Sequence, residues 1–315
     1  MRFTRLLLCA VAAEPELSRA GGTTQLFNIA KKTKQPPEKV RHITNKVKVP
    51  KFKGEAIYGI YPVLEALRAG RRHFYSLHIK NSVKERKEEN TAIKELLELA
   101  GQKHVHIYPA EAVQLDKLTQ FQLHNGVCAD VDPLKYAMLE DFASTSVFLD
   151  GVLDPGNIGA IARCAYFFGA DQLVYCHDKG PERITPSMLR ASAGAIEHLK
   201  IGRVKTIENY VKFVKYNNAQ IVITCDSESA QRRPNKIDAI PLHEWKPTEK
   251  TALILGDEGR GVSEELVEQC DVAVSIPNLA HKKTSINSIN VSVVAGIVLH
   301  HIYAQKALQK QNKSD

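Results

Sequence analysis

Five short apolar runs recur in the second half of the chain, and they constrain its fold more than any other feature. They are SVFLDGV at 146–152, QLVYC at 172–176, QIVITC at 220–225, TALILG at 251–256 and DVAVSIP at 271–277. Such continuous runs indicate strands buried on both faces, as in a parallel sheet that helices cover on each side. The sequence therefore predicts an α/β fold, with its ligand site in the loops that follow the strands.

A smaller α/β unit is expected ahead of this sheet, over residues 54–132. It should open with a strand in EAIYGIYPVLEALRAG, followed there by a short helix that ends at Gly70. Strands are expected at 74–79, 105–109 and 126–133, a helix at 111–118, and one long charged helix at about 84–100. Residues 133–145 are expected to form a linker, and residues 146–308 to form the second domain.

Positive charge is concentrated at the N-terminus. Of the net charge of +8, residues 1–50 contribute ten Lys or Arg against three Glu. Arg2, Arg5 and Arg19 flank an apolar stretch at 6–13, which suits either a secretory signal or a mitochondrial transit peptide over residues 1–24. The rest of the chain favours the mitochondrial interpretation. Residues 25–53 are expected to form a basic flexible arm, either a solvated linker or a contact for RNA phosphates.

Several classes of protein are disfavoured. The six cysteines form no CxxC pair, which argues against a zinc site and for a reduced intracellular compartment. No apolar run reaches the roughly 18 residues of a membrane span. The glycines near 256–261 lack the GxGxxG spacing of a nicotinamide oxidoreductase, and no P-loop motif occurs.

Three loops carry residues suited to chemistry. In the first, LDPGNIGAIARCAYFFGA, Asp154 and Pro155 should start a helix, Asn157 should lie in the turn before it and Arg163 inside it. An arginine near a helix start suits a phosphate clamp, although a surface ion pair would use the same residue.

The second loop, LILGDEGRGVSEEL, is a glycine-rich turn with Glu258 at its centre, and Ser263 can cap the helix that follows. The third region ends a strand at Ile276 and Pro277, and Ser288 and Asn290 precede the last helix. Polar residues in that position are usually helix caps, and they can also belong to a site.

Taken together, DGVLDPGNIGAIARCA, LILGDEGRGVS and IP…SINVSVVAG resemble motifs one, two and three of the SpoU (TrmH) family in the SPOUT superfamily. Members of that family are S-adenosylmethionine-dependent RNA ribose 2′-O-methyltransferases. The stretches GIYPVLEAL and HNGVCA resemble the ribosomal-protein-like RNA-binding domain of its rRNA-modifying members. The resemblance covers about 146–304 and extends into the first unit; a near-duplicate, Ser285 to Asn287, precedes motif three.

This resemblance implies a C-terminal α/β knot, which is a rare fold, and a homodimer. It places S-adenosyl-L-methionine against Leu255, Gly256, Gly261, Ile276, Pro277 and Ile289. It assigns the polar active-site set to Asn157, Arg163, Glu258, Ser288 and Asn290.

The N-terminal features resemble the mitochondrial rRNA branch of the family. That resemblance implies a matrix enzyme that modifies a guanosine of large-subunit rRNA, without metal and without a membrane. A tRNA methyltransferase and an inactive RNA-binding member of the same fold are the alternatives.

Overall fold

The computed structural model describes residues 48–88, 90–225, 238–257, 259–279 and 288–311. The expected transit peptide at 1–24, the arm up to residue 47 and Glu258 lie outside the described residues.

The first unit is a four-stranded sheet in the order β1-β4-β2-β3. Its strands are β1 (Glu55–Tyr58), β2 (Phe74–Lys80), β3 (Ile107–Ala110) and β4 (Val127–Val131). Strand β4 runs antiparallel to β1 and β2, whereas β3 lies parallel to β2 at the edge of the sheet. Its helices are α1 (Ile60–Ala69), α2 (Asn81–Lys84), α3 (Thr91–Gln102) and α4 (Ala112–Leu118).

The single charged helix expected at 84–100 is wrong. The chain instead forms α2, a 3₁₀ turn at Glu85–Glu88 and then a new helix, α3. Asn90 starts α3, because its side-chain oxygen accepts hydrogen bonds from the backbone N–H groups of Ala92 and Ile93. Asparagine is a strong helix N-cap, so this residue restarts the helix inside an otherwise helical pattern.

The second sheet has seven parallel strands in the order β7-β6-β5-β10-β8-β11-β9, which confirms the predicted parallel α/β fold. The strands are β5 (Thr145–Asp150), β6 (Gln172–Cys176), β7 (Lys200–Val204), β8 (Gln220–Thr224), β9 (Ile240–Pro241), β10 (Thr251–Gly256) and β11 (Val272–Ser275). Helices α5 (Pro155–Phe167), α6 (Pro186–Ala191), α7 (Ile207–Tyr216), α8 (Glu264–Val267) and α9 (Val291–Gln311) accompany them. The knotted path of the chain stays a prediction.

The segment between the two sheets packs against the second one. Leu134 and Phe142 are buried, and the N–H of Ala137 donates to the carbonyl of Ile201 at 2.7 Å, beside the edge strand β7. Thr145 is already the first residue of β5. The expected linker is therefore an ordered segment, while the division into domains stays a prediction.

A buried group of charges joins the two sheets, and we call it the ion-pair junction. It consists of Glu55 on β1, Arg72 before β2 and Glu197 before β7. The side chains of Arg72 and Glu197 are 1% and 0% exposed, and Arg72 Nε lies 2.7 Å from Glu197 Oε1, although the N–H is not aimed along that contact. Burial raises the pKa of Glu197, and the two adjacent guanidinium groups, of Arg72 and Arg71, oppose that rise.

Helix α9 is long and apolar enough to cross a membrane, and it is the one such helix among the described residues. One of its faces lies in the protein core through Val291, Ala295, Val298, Leu299 and Ile302. A core helix meets the same test of length and composition, so this is weak evidence for a membrane.

Candidate active site

The three loops begin at one edge of the seven-stranded sheet, because the strands are parallel and their carboxyl ends point the same way. Strands β5 and β10 are neighbours there, with Asp150 opposite Gly256. Strand β11 lies two places from β10, which corresponds to about 10 Å.

Helix α5 begins at Asp154 and Pro155, as predicted. Asp154 is the N-cap, and its carboxylate accepts the N–H of Asn157 at 2.8 Å. Asn157 therefore lies in the first turn of the helix, and the expectation that it precedes the helix is wrong. Arg163 follows six residues later, about 9 Å along the axis. Its side chain is exposed and makes no hydrogen bond or ion pair with any described residue, so the surface ion pair is not seen.

Loops one and three meet through two asparagines. Asn290 Nδ2 donates a hydrogen bond to Asn157 Oδ1 at 3.0 Å, across 133 positions of sequence. Asn290 Oδ1 meanwhile accepts the N–H of Ser292 at 2.8 Å, so the residue also caps α9. The interpretation of Asn290 as a helix cap is therefore confirmed, and its place in the active site stays a prediction. Ser288 and Ile289 are exposed immediately before it.

The second loop is a tight turn in which backbone approaches backbone. A Cβ on Gly256 would lie 2.3 Å from the carbonyl carbon of Gly261, so no other residue fits. Asp257 closes the turn, because its carboxylate accepts the N–H groups of Gly259 and Arg260 at 2.6 and 2.9 Å. The structure thus brings Gly256 and Gly261 together.

Asp150 is a buried carboxylate at this edge that the sequence analysis missed. It accepts the N–H of Ser263 at 2.7 Å and lies 3.6 Å from Lys179 Nζ, so it ties the second loop to the end of β5. Ser263 is the N-cap residue of α8, but the prediction that its side chain caps the helix is wrong. Its hydroxyl makes no cap bond and is buried without a partner among the residues that the structure describes. The signal was present, since Asp150 and Gly151 directly follow an apolar strand.

The remaining predicted residues lie around the same edge. Leu255 is buried in β10, Ile276 packs against the core at the end of β11, and Pro277 and Ile289 are exposed. Among the described residues, no hydrogen bond or ion pair joins Arg163 to Asn157 or to Asn290. Among the described His, Cys, Asp and Glu side chains, no group of three or more is placed to hold a metal ion.

Two protein families match the chain, one over the first sheet and the other over the second. The RNA 2′-O ribose methyltransferase substrate-binding domain matches residues 56–137, and the SpoU rRNA Methylase family matches residues 144–300. Human mitochondrial rRNA methyltransferase 1 is 28% identical over 82% of this chain and 75% of its own length. An uncharacterized tRNA/rRNA methyltransferase of Archaeoglobus fulgidus is 33% identical over 70% of this chain and 88% of its own.

Solved structures share the fold. The AdoMet-bound rRNA methyltransferase from Sinorhizobium meliloti superimposes with a TM-score of 0.62 at 18% identity, over 79% of this chain and 87% of that one. The fold, the order of the three motifs and the identity to the archaeal relative lead to one assignment. The chain belongs to the SpoU rRNA methylase family of RNA methyltransferases.

Proposed function

We propose that the protein transfers a methyl group from S-adenosyl-L-methionine to the 2′-hydroxyl of a ribose in mitochondrial large-subunit rRNA. The target ribose is that of a guanosine. The observation that carries the proposal is the hydrogen bond between Asn157 and Asn290. This bond joins motifs one and three at the edge of the sheet where β10, the strand of motif two, also ends. The human relative, by its name a mitochondrial rRNA methyltransferase, supports the substrate and the matrix location.

The residues at this edge suit the proposed cofactor. The turn brings the backbone of Gly256 against that of Gly261, and Ser263 beside it has a buried hydroxyl with no partner among the described residues. Apolar side chains at Ile276, Pro277 and Ile289 border the edge and suit an adenine ring. Leu255, Gly256, Gly261, Ile276, Pro277 and Ile289 would hold the cofactor, whose sulfonium supplies an activated methyl group.

The polar residues then position the ribose and stabilise charge. The cofactor would supply the methyl group to the 2′-oxygen, and the 2′-hydroxyl would lose its proton to a neighbouring phosphate, to Glu258 or to water. Arg163 is a poor base because guanidinium stays protonated. Its role is to bind the adjacent phosphate and stabilise the developing alkoxide. Ser288 and Asn290 orient the ribose, and Asn290 also fixes Asn157.

Methyl transfer from tritium-labelled cofactor tests the function directly. We expect label in large-subunit mitochondrial rRNA, located at a 2′-O-methyl guanosine by nuclease mapping, and little label in tRNA. Label in tRNA alone would replace the rRNA assignment with the tRNA alternative. Cofactor and RNA binding without any transfer would identify an inactive RNA-binding member.

The proposal includes a homodimer, which an exposed apolar face supports. Tyr166 and Phe167 on α5 and Val293, Ile297 and Tyr303 on α9 are all exposed, Phe167 to 79%. Phe168 contacts the rings of both His300 and Tyr303, so the two helices form one surface. An apolar surface of this kind beside a site commonly marks an interface, and a second copy of the chain would cover it next to Arg163.

We expect sedimentation to give twice the mass of one chain. The Phe167→Glu variant should sediment as a single chain, because it places a charge at the most exposed residue of the apolar face. A wild-type protein that stays monomeric at micromolar concentration would contradict the dimer.

A further inference from the structure

A row of four rings crosses the outer face of the first sheet, and we call it the ring row. Its members are Phe52, His78, Tyr108 and His106. Successive ring centroids are separated by 5.2, 5.2 and 4.2 Å, and His78 and Tyr108 are stacked at an interplanar angle of 18°.

The fold builds this row from two neighbouring strands and the incoming chain. His78 on β2 and Tyr108 on β3 are direct register partners. His106 precedes Tyr108 by two residues, and two is the spacing at which strand side chains share a face. Phe52 is held in place because the backbone N–H groups of Lys53 and Gly54 both donate to the buried carboxylate of Asp130 at 2.8 Å.

The inner and outer ends of the row differ in what they pack against. Phe52 packs on a small core cluster formed by Tyr58, Ala110, Leu115 and Cys128. Tyr108 and His106 are not part of that cluster; Tyr108 is 45% exposed and His106 is exposed. Core packing therefore explains Phe52 but leaves the two outer rings presenting their surface to solvent.

His78 provides a rigid support beneath Tyr108. Its ring is buried and hydrogen-bonded to the hydroxyl of Ser76 at 3.0 Å. Burial lowers the pKa of His78, against an opposing effect of Asp130, which favours the neutral form of the ring. Tyr108 is thus pre-positioned by a neutral stacking partner, which reduces the entropy lost when a further ring binds.

Exposed lysines lie beside the ring row. Lys51 and Lys53 flank Phe52, and Lys80 ends β2 opposite Ala110, the residue two beyond Tyr108. Lys53 Nζ also lies 5.4 Å from the ring centroid of Tyr75. Exposed rings next to cations that track a backbone are the combination by which proteins bind single-stranded nucleic acid, because bases stack while phosphates are neutralised.

We propose that Tyr108 and His106 form a stacking site for bases of a single-stranded RNA segment, with Lys51 and Lys53 contacting its phosphates. The proposal rests on the proposed function, since it concerns how the RNA substrate is held. It assigns to the first sheet a definite contact surface, at its β3 edge, and a definite substrate form, an unpaired strand rather than a duplex.

Fluorescence anisotropy with a labelled 12-nucleotide single strand and a duplex of equal length tests the stacking site without cofactor. We expect the full-length protein to prefer the single strand, and Tyr108→Ala to weaken that binding about 5- to 150-fold, the range for one lost base stack. Tyr108→Phe should bind like the wild type, whereas Tyr108→Leu, which keeps apolar bulk without a ring, should bind like Tyr108→Ala. Tyr216→Ala, at a tyrosine 78% exposed on α7, is the matched control and should change nothing.

Equal binding by Tyr108→Leu and Tyr108→Phe would overturn the stacking site, as would a preference for the duplex. Because the assay contains no cofactor, its result is independent of methyl transfer. If Tyr108→Ala binds RNA as tightly as the wild type while methyl transfer is observed, only the stacking site is contradicted. If Tyr108→Ala weakens RNA binding but the protein transfers no methyl group, only the proposed activity is contradicted.

Discussion

Replacing Arg163 with alanine should lower methyl transfer to RNA by about 100-fold or more while leaving cofactor binding unchanged. The expected size is that for losing one preorganised donor to a developing negative charge. The side chain is exposed and has no partner among the described residues, so its removal breaks no contact that stabilises the fold. The effect should therefore appear in turnover, and thermal unfolding should be unchanged.

Single-turnover transfer measures the first quantity, and calorimetric titration with S-adenosyl-L-methionine measures the second. Arg163→Lys keeps the charge but loses the bidentate geometry and should fall between the wild type and alanine. Lys212→Ala, on the exposed face of α7, should match the wild type. Transfer by Arg163→Ala at the wild-type rate would show that this arginine does not act in the reaction.

Gly256→Ala should abolish cofactor binding, and with it methyl transfer, in the same two assays. Its new methyl group would lie 2.3 Å from the backbone of Gly261, so the turn must open. We expect calorimetry to lose the cofactor signal. Gly101→Ala, which meets nothing within 4 Å, is the matched control and should bind normally. Normal binding by Gly256→Ala would show that this turn does not hold the cofactor.

Replacing Arg72 with methionine should lower the free energy of unfolding by about 3–5 kcal/mol, the usual cost of removing one partner from a buried ion pair. The change leaves the carboxylates of Glu55 and Glu197 beside an apolar side chain. Arg71, whose guanidinium donates to the carbonyls of Glu197 and Leu199, would still hold part of this contact. The free energy of unfolding should therefore fall strongly, while Arg71 keeps the two sheets in contact.

Urea unfolding gives the magnitude. Arg68→Met is the control, because its ion pairs with Glu65 and Glu95 are exposed and such pairs contribute about 1 kcal/mol or less. Adding Glu197→Gln to Arg72→Met should recover part of the loss, since it removes one buried charge. A cost for Arg72→Met as small as that for Arg68→Met would contradict the importance of the ion-pair junction.

The central strands of the second sheet could be predicted because β5, β6, β8, β10 and β11 are continuous apolar runs. The edge strands β7 and β9 were missed, because β7 carries Lys200 and Arg203 and β9 has only two residues. Continuous apolar runs identify strands that are buried on both faces, whereas an edge strand need not be buried on both faces.

The loops around the candidate site show the same limit. The family resemblance implied that Asn157 and Asn290 belong to one site, but not the bond between them. The position of Asp150 after an apolar strand marked its place at the sheet edge, but its partner, the backbone N–H of Ser263, is 113 residues away. A contact to backbone at that distance leaves no pattern in a single sequence.

The ion-pair junction has a consequence for how long a stretch of RNA the enzyme can use. Swinging the first sheet away from the second would expose Arg72 and Glu197 as separated charges, and the buried pair opposes that movement. The span between the β3 edge and the asparagine pair is therefore set within one chain. Under the two proposals, an RNA whose unpaired strand and target ribose do not match that span would have to deform itself, and the enzyme would select its nucleotide by distance as well as by base identity.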